Sequence, residues 1–188
     1  MRYDKKLVAD ILTKSFLDNR SVNYIIKQDG KREQRIKALM EYSFEVCHLF
    51  GDVFISEDKK SCVLLVKPEK KKLTLKSILL DINLLLNAVG IFNIKKAIHR
   101  EAAIKKVHPK TSIYYLWFIG VDPSHQNKGI GSKILSLVIQ KAVSENRTIC
   151  LETSTLKNIP WYEKHGFEIY KELDFGYRLY CLKRDVSK

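Results

Sequence analysis

Apolar and polar positions along the chain repeat at two different periods, and the changes of period mark the elements. Residues 5–18 place Leu7, Val8, Ile11, Leu12, Phe16 and Leu17 on one helical face, and the run Asp18-Asn19-Arg20-Ser21 then breaks it. After Asp29-Gly30, residues 31–50 return to the helical period through Ile36, Leu39, Met40, Phe44, Cys47 and Leu49, with Gly51 as a stop. Two short strands, 52–56 and 61–66, flank Glu57-Asp58-Lys59-Lys60 and read as a hairpin. A basic stretch, 67–76, leads into a long apolar helical region over 73–106, which Gly90 divides into two helices and His108-Pro109 ends. Residues 112–121 (SIYYLWFIGV) are nearly all apolar, aromatic or β-branched, the composition of a central strand buried on both faces. A turn follows, then a helix over 129–145, a strand at 148–153, a short helix at 160–165 and two strands, 167–173 and 177–183. A strand-turn-helix-strand unit between antiparallel hairpins reads as an α+β or α/β sheet with helices on both faces.

Composition narrows this picture. At 188 residues, without internal repeat or linker, the chain reads as one domain over 1–188. Its 45% hydrophobic and 29% charged residues exclude a disordered or collagen-like chain. Thirty-four Lys and Arg against twenty-one Asp and Glu give a net charge of +13, which favours anionic partners: nucleic acid, acidic membrane or phosphorylated cofactors. Cys47, Cys62, Cys150 and Cys181 are far apart with no C-x-x-C pair and read as buried reduced thiols rather than zinc ligands or disulfides. The start, MRYDKKLVAD, lacks an uninterrupted apolar core of a signal peptide. The most apolar stretch, 78–94, is interrupted by Asp81, Asn83, Asn87 and Asn93 and is too polar and short to span a bilayer. A soluble, cytoplasmic protein without a membrane span is the expectation.

The chemistry concentrates in 121–142 (VDPSHQNKGIGSKILSLVIQKA), where a buried strand ends and an amphipathic helix begins. Gly129 and Gly131, one residue apart, let the backbone turn tightly and let an anion approach with no Cβ in the way. The first N–H groups of the helix lack internal partners and, with the positive end of the dipole, form a phosphate-sized anion site. Lys128 and Lys133 add positive charge beside it. The pattern is not a Walker A loop, since Lys133 follows Ser132 rather than a glycine. Nor is it G-x-G-x-x-G, since Ile134 stands at the third glycine. A plain strand-turn-helix connection is the alternative for this fragment taken alone.

Gln126-x-x-Gly129-x-Gly131 after a strand ending in Val121-Asp122-Pro123 resembles the acetyl-CoA pyrophosphate loop, R/Q-x-x-G-x-G/A, of the GNAT superfamily of N-acetyltransferases. The resemblance implies that backbone amides of Gln126, Asn127, Lys128, Gly129, Ile130, Gly131 and Ser132 hold the pyrophosphate. It implies that Ile119, Gly120 and Val121 pair with the pantetheine arm through the main chain, beside a splayed gap that admits the thioester. Residues 149–167 (ICLETSTLKNIPWYEKHGF) agree with the family's N-x-x-x-Y-E-K-x-G-F signature, with Gly166 suited to a left-handed helix end. There Asn158 resembles the residue that reaches the CoA arm, and Tyr162 the one that protonates the departing thiolate. A phenol with an unperturbed pKa of about 10 is a competent donor at neutral pH, while a packed core aromatic is the bland alternative. The matched motifs lie within 112–183, and the L-E-T-S and N-x-P-W-Y-E-K-H-G-F strings most resemble the branch that contains puromycin N-acetyltransferase, a closeness of scaffold and not of substrate. The fold implied is that of a GNAT acyl-CoA N-acyltransferase: a mixed, mostly antiparallel sheet of about six or seven strands flanked by helices, with a helical insert at 73–106 before the central strand.

An amine must lose a proton to attack a thioester, so a base or water chain is needed. Glu152, on the strand beside the expected cleft, is the candidate, unless it points away and pairs with a basic residue. Glu41, Glu45 and His48 on the second helix are weaker candidates for the acceptor side. His99, His108, His125 and His165 have no metal-ligand spacing, and no elbow motif orders a Ser-His-Asp set. Lys67, Lys70, Lys71, Lys72 and Lys76, and then Lys95, Lys96, Arg100, Lys105, Lys106 and Lys110, form two basic runs, read as a solvated face rather than a nucleic-acid surface. The apolar residues of 73–94 fall where the family's acceptor-binding segment lies, so an apolar acceptor pocket is expected, with dimerisation as its rival. The expectation is a monomeric or dimeric enzyme using acetyl-CoA, without a metal, to acetylate a primary amine directly. A protein- or RNA-directed acetyltransferase and a catalytically silent CoA-binding module are the other readings.

Overall fold

The computed structural model describes residues 2–186. Strands β1 (Gly51–Ile55), β2 (Ser61–Val66), β3 (Ile113–Val121), β4 (Thr148–Thr153), β5 (Glu168–Asp174) and β6 (Arg178–Arg184) form one sheet in the order β1-β2-β3-β4-β6-β5. Only β3 and β4 run parallel, and every other neighbouring pair is antiparallel. Because successive side chains point to opposite faces, β2 sends Cys62, Leu64 and Val66 to one layer and Val63 and Leu65 to the other. All six of its residues are buried, as both faces are covered. Helices α1 (Arg2–Phe16), α2 (Arg20–Ile25) and α3 (Arg32–Phe50) cover the first face through Val8, Leu12, Ile36, Met40 and Phe44. On the other face lie α6 (Ile130–Ser144) and α7 (Ile159–Lys164), with Ile134, Leu135, Val138 and Tyr162. Burying each such aliphatic side chain is worth about 1.5–3 kcal/mol, so three of them suffice to pin the start of α6 to the sheet.

Two elements differ from the sequence reading. The polar run after α1 stops one helix and starts another: the Asn19 side chain accepts the Val22 N–H at 3.0 Å and caps α2. After a 3-10 turn at Pro68–Lys70, the first helix of the insert, α4 (Leu75–Leu84), begins later than the expected 73. There Thr74 accepts the Ser77 N–H at 3.1 Å while Ser77 Oγ accepts the Thr74 N–H at 2.9 Å, a reciprocal cap. A π-helical turn at Leu85–Val89 and Gly90, at φ 72°, then bend the chain by 104° into α5 (Ile94–Val107), which stops before His108-Pro109 as expected.

The sheet is built to open at one place. β3 and β4 pair only through Ile113–Tyr115 and Thr148–Cys150, after which β4 stays on β6 through Thr153 while β3 stays on β2. A register shift between Leu64 and Leu65 leaves Trp117 as an extra residue in β3, so Trp117 and Phe118 both pack toward the α1 side. The paired end of β3 is tied by a polar network. The Tyr114 hydroxyl lies 2.9 Å from Asp52 and 2.8 Å from Glu145, and Lys67 reaches Glu145 at 2.9 Å. Strand β3 is thereby anchored at one end and free to splay at the other.

Candidate active site

The turn after β3 is shaped by its own short polar residues. Asp122 accepts the Ser124 N–H at 3.0 Å and its hydroxyl at 2.6 Å, which winds Pro123–His125 into a 3-10 turn. Asn127 (φ 61°) and Gly129 (φ 77°) then occupy the left-handed region, and Gly129 is the cap residue of α6 with no side chain closing the helix end. The first main-chain bond is Lys133 N–H to Gly129 C=O at 3.1 Å. The N–H groups of Ile130, Gly131 and Ser132 have no partner among the described residues and remain available to an anion. A Cβ on Gly131 would sit 3.5 Å from Val121 and 3.6 Å from Trp161, ordinary contacts, so packing within the chain does not demand a glycine there. What the glycine provides is a bare first turn. Trp161 donates to Ser132 Oγ at 3.0 Å and holds α7 against that turn.

The gap between β3 and β4 is a cleft of about 790 Å³. Ile119, Gly120, Val121, Gln126, Asn127, Gly129, Ile130, Gly131, Ser132, Glu152, Asn158 and Tyr162 all line it. Of the expected loop residues, Lys128 alone stands outside the lining, its ammonium 3.4 Å from the Ser124 carbonyl. The Asp122 N–H bonds to Lys60 C=O at 2.8 Å, so the Val121 carbonyl on the same peptide faces the cleft, where Ser15 Oγ (2.9 Å) and Gln126 Nε2 (3.3 Å) donate to it. That bears on which main-chain groups of this segment are open to the cleft. The Val121 carbonyl is already engaged, and the alternation of a strand turns Gly120's main chain toward β2, leaving the Val121 N–H and the groups of Ile119 for the cleft. Gly120 is a glycine for another reason: a Cβ there would meet Leu12 at 2.7 Å.

Two protic groups face this space. Tyr162 is buried between Trp161 and Phe167, with ring centroids 4.7 and 5.6 Å away, and its hydroxyl makes no hydrogen bond among the described residues. Burial pushes the phenol's pKa up, which keeps its proton in place at neutral pH. Glu152 lies in the splayed half of β4 with its side chain 3% exposed. Its carboxylate accepts the Tyr115 hydroxyl at 2.6 Å and meets His108 Nε2 at 3.4 Å. It lines the cleft rather than pointing away, and the basic residue it meets is His108. Burial, then the neighbouring carboxylate of Glu152, raises the Tyr115 pKa well above its ordinary value, so Tyr115 remains a donor. Asn158 precedes α7 without capping it and lines the cleft.

Residues 88–169 match the family described as acetyltransferase (GNAT) domain. The whole outline matches a Corynebacterium glutamicum protein described as histone acetyltransferase HPA2 and related acetyltransferase, with a TM-score of 0.73 and 18% identity over 98% of this chain and 92% of the other. The chain carries the GNAT fold. The C-terminal condensation domain of Ebony, solved with beta-alanyl-dopamine, is also similar, with a TM-score of 0.71 and 13% identity over 99% of this chain and 96% of that one. A GNAT-family protein of Desulfovibrio desulfuricans follows at 0.57 and 14%, covering 99% and 94%.

Across the GNAT sheet, on its α1 side, lies a second cavity of about 680 Å³. Val22 and Ile25 of α2, Leu39, Tyr42, Val46 and Phe50 of α3, Leu84, Leu85 and Val89 of the insert, and Tyr115, Trp117 and Phe118 of β3 give it mainly apolar walls. Phe16, Asn19, Trp117 and Glu152 line both cavities, so the two spaces adjoin along these four residues. Glu41, Glu45 and His48 line neither, because α3 turns its Leu39-Tyr42-Val46 face inward. Glu45 instead pairs with Lys5 and Lys76 at 3.2 Å each, and His48 stacks on Phe44. His108 and Tyr115 are the site residues that sequence reasoning passes over. Tyr115 faces Glu152 because it registers with Cys150, two residues earlier on β4, a long-range fact. A His just before a helix-ending Pro carries no spacing signal at all.

Proposed function

We propose that the protein is an acetyl-CoA-dependent N-acetyltransferase that acetylates a primary amine of a small molecule with an apolar body. The observation that carries this is that the two cavities adjoin along residues that include Glu152, with Tyr162 lining the cleft. The bare first turn of α6 and the left-handed Gly129 fit a pyrophosphate, and Lys14 and Lys157 in the lining suit its charge. Acetyl-CoA supplies an activated thioester. The Val121 N–H and the splayed edge of β3 orient the acyl group, replacing a bimolecular encounter by a positioned one. Glu152, held by Tyr115 and His108, takes the amine's proton directly or through water, and Tyr162 gives up a proton where the leaving sulfur would lie.

All four cysteines are buried and none lines either cavity, which supports direct transfer. Burial pushes the Cys62, Cys150 and Cys181 thiols up to about 12, far from a reactive thiolate. A recessed, mainly apolar cavity of about 680 Å³ favours a small acceptor over protein or RNA. The motif likeness to the puromycin N-acetyltransferase branch places scaffold strings only. The test is a panel of apolar-bodied primary amines with acetyl-CoA and a thiol-detecting reagent, alongside calorimetry. Thiol release with at least one amine, lost in Glu152→Gln, is expected; no binding of acetyl-CoA by the folded protein would refute the reading.

A further inference from the structure

The helical insert turns one side inward and leaves an apolar side outward. Ser77, Asp81, Leu84 and Leu85 look into the second cavity, whereas Leu75, Leu79, Ile82 and Leu86 recur at helical spacing on the outside and are 83, 66, 48 and 72% exposed. The exposed row continues at the bend with Ile91 and Phe92, 76 and 92% exposed. Single exposed leucines need no explanation, but six exposed large apolar side chains within residues 75–92 mark an interaction surface. The row is flanked by charge of one sign. Residues 67–110 hold eleven Lys and Arg against three Asp and Glu, a surplus of eight out of the chain's thirteen. Lys70 and Lys76 precede or open α4, and Lys95 and Lys96 open α5, all exposed.

We propose that this face docks on an anionic lipid bilayer, its leucines, Ile91 and Phe92 seated at the headgroup–acyl boundary and its lysines against acidic headgroups. A helix with an apolar stripe and a basic border lies in the interface plane. Among the described residues no single helix is long and apolar enough to cross a membrane, and the 104° bend between Leu75–Val89 and Ile91–Val107, with its basic border, suits a seat on the surface. Covering the stripe with a second copy would bring two like-charged borders, each with the exposed Lys70, Lys76, Lys95 and Lys96, face to face, whereas acidic lipid neutralises the border. The same insert walls the second cavity, so docking sets that cavity beside the bilayer.

The test is sedimentation of the full chain with phosphatidylcholine vesicles, with and without phosphatidylglycerol. Pelleting is expected only with the anionic vesicles, weakening as salt rises. Leu79→Asp combined with Phe92→Asp should lower partitioning at least about tenfold, and Lys70→Glu or Lys95→Glu about fivefold each. All these side chains are exposed, so melting temperatures should not move. Absence of phosphatidylglycerol-dependent pelleting, or unchanged pelleting in both sets of variants, overturns the proposal. So does a dimer in sedimentation velocity that Leu79→Asp dissociates, which would show a second copy on the stripe. Because the readout is partitioning, its failure is separate from any failure of acetyl transfer.

Discussion

Tyr162 and Glu152 reach the cleft with opposite equipment. Tyr162 is a buried phenol without a hydrogen-bond partner among the described residues, so its proton is uncommitted. Tyr162→Phe keeps the ring between Trp161 and Phe167 and removes only that proton. Turnover should fall by about 10²–10⁴ while acetyl-CoA affinity stays within a few-fold, since the hydroxyl acts as the bond to sulfur breaks. Calorimetry beside steady-state kinetics checks both numbers, and turnover within three-fold of wild type would return Tyr162 to a packing role. Glu152 is the reverse case, an acceptor held at 2.6 Å by Tyr115 and at 3.4 Å by His108. Glu152→Gln keeps an oxygen for Tyr115 but cannot take up a proton. Its kcat/KM should drop by about 10²–10⁴ near neutrality and recover as pH rises toward the amine's own pKa, where the acceptor is already deprotonated. A deficit of constant size across pH would make Glu152 a positioning residue instead.

Among the elements, the turn 126–132 concentrates what the cleft offers a phosphate. Gly129 sits at φ 77° and Gly131 leaves the first turn bare. Gly131→Glu puts a carboxylate where the unpaired N–H groups point and should abolish detectable acetyl-CoA binding in calorimetry while the protein still folds, because the Cβ meets only ordinary contacts at 3.5 and 3.6 Å. Gly129→Glu should do the same with an added loss of stability from its left-handed backbone. Unchanged affinity in either folded variant would remove the loop from the binding site. These features were legible in the sequence because glycine spacing, helix period and strand composition are local: β4 at Thr148–Thr153 falls on the expected residues. What escaped is set by partners far along the chain. The bulge at Trp117 depends on β2, the Tyr115–Glu152 bond on parallel register with β4, and the lining of the second cavity by Leu39, Tyr42 and Val46 rather than Glu41 and Glu45 on how α3 rolls against the insert. α2 escaped for a different reason, since Asn19 is both a helix stop and a helix start and its side chain decides which.

At the scale of the whole molecule, the cleft is open because the far end of β3 is tied down. Tyr114 is bonded to Asp52 of β1 and to Glu145 at the end of α6, while Lys67, just past β2, reaches both carboxylates at 3.4 and 2.9 Å. Three elements thus converge on the paired end of β3, and the strand has its freedom only beyond Tyr115, where the site lies. This anchor is sensitive to acid. Hydrogen bonds from Lys141 and then Lys67 pull the Glu145 carboxyl down from 4.5 to about 2. A carboxyl whose folded pKa is depressed binds fewer protons folded than unfolded, so its contribution is fully present above about 4.5 and is lost as pH falls toward about 2. Glu145→Gln should therefore melt below wild type at pH 7, by roughly 2–4 °C for each kcal/mol lost, and the two melting curves should converge as pH approaches the folded value. Asp29 and Asp122, held below the usual carboxylate range by Arg35 and by Ser124 respectively, contribute to the acid limb of both proteins and cancel in the difference. Scanning calorimetry of the pair across this range is the measurement. A difference in melting temperature that stays constant down to the acid end would mean that Glu145 acts through packing rather than charge. A loss of acetyl-CoA affinity at pH 7 beyond a few-fold would show the reverse coupling, that loosening the paired end of β3 closes the gap at its other end.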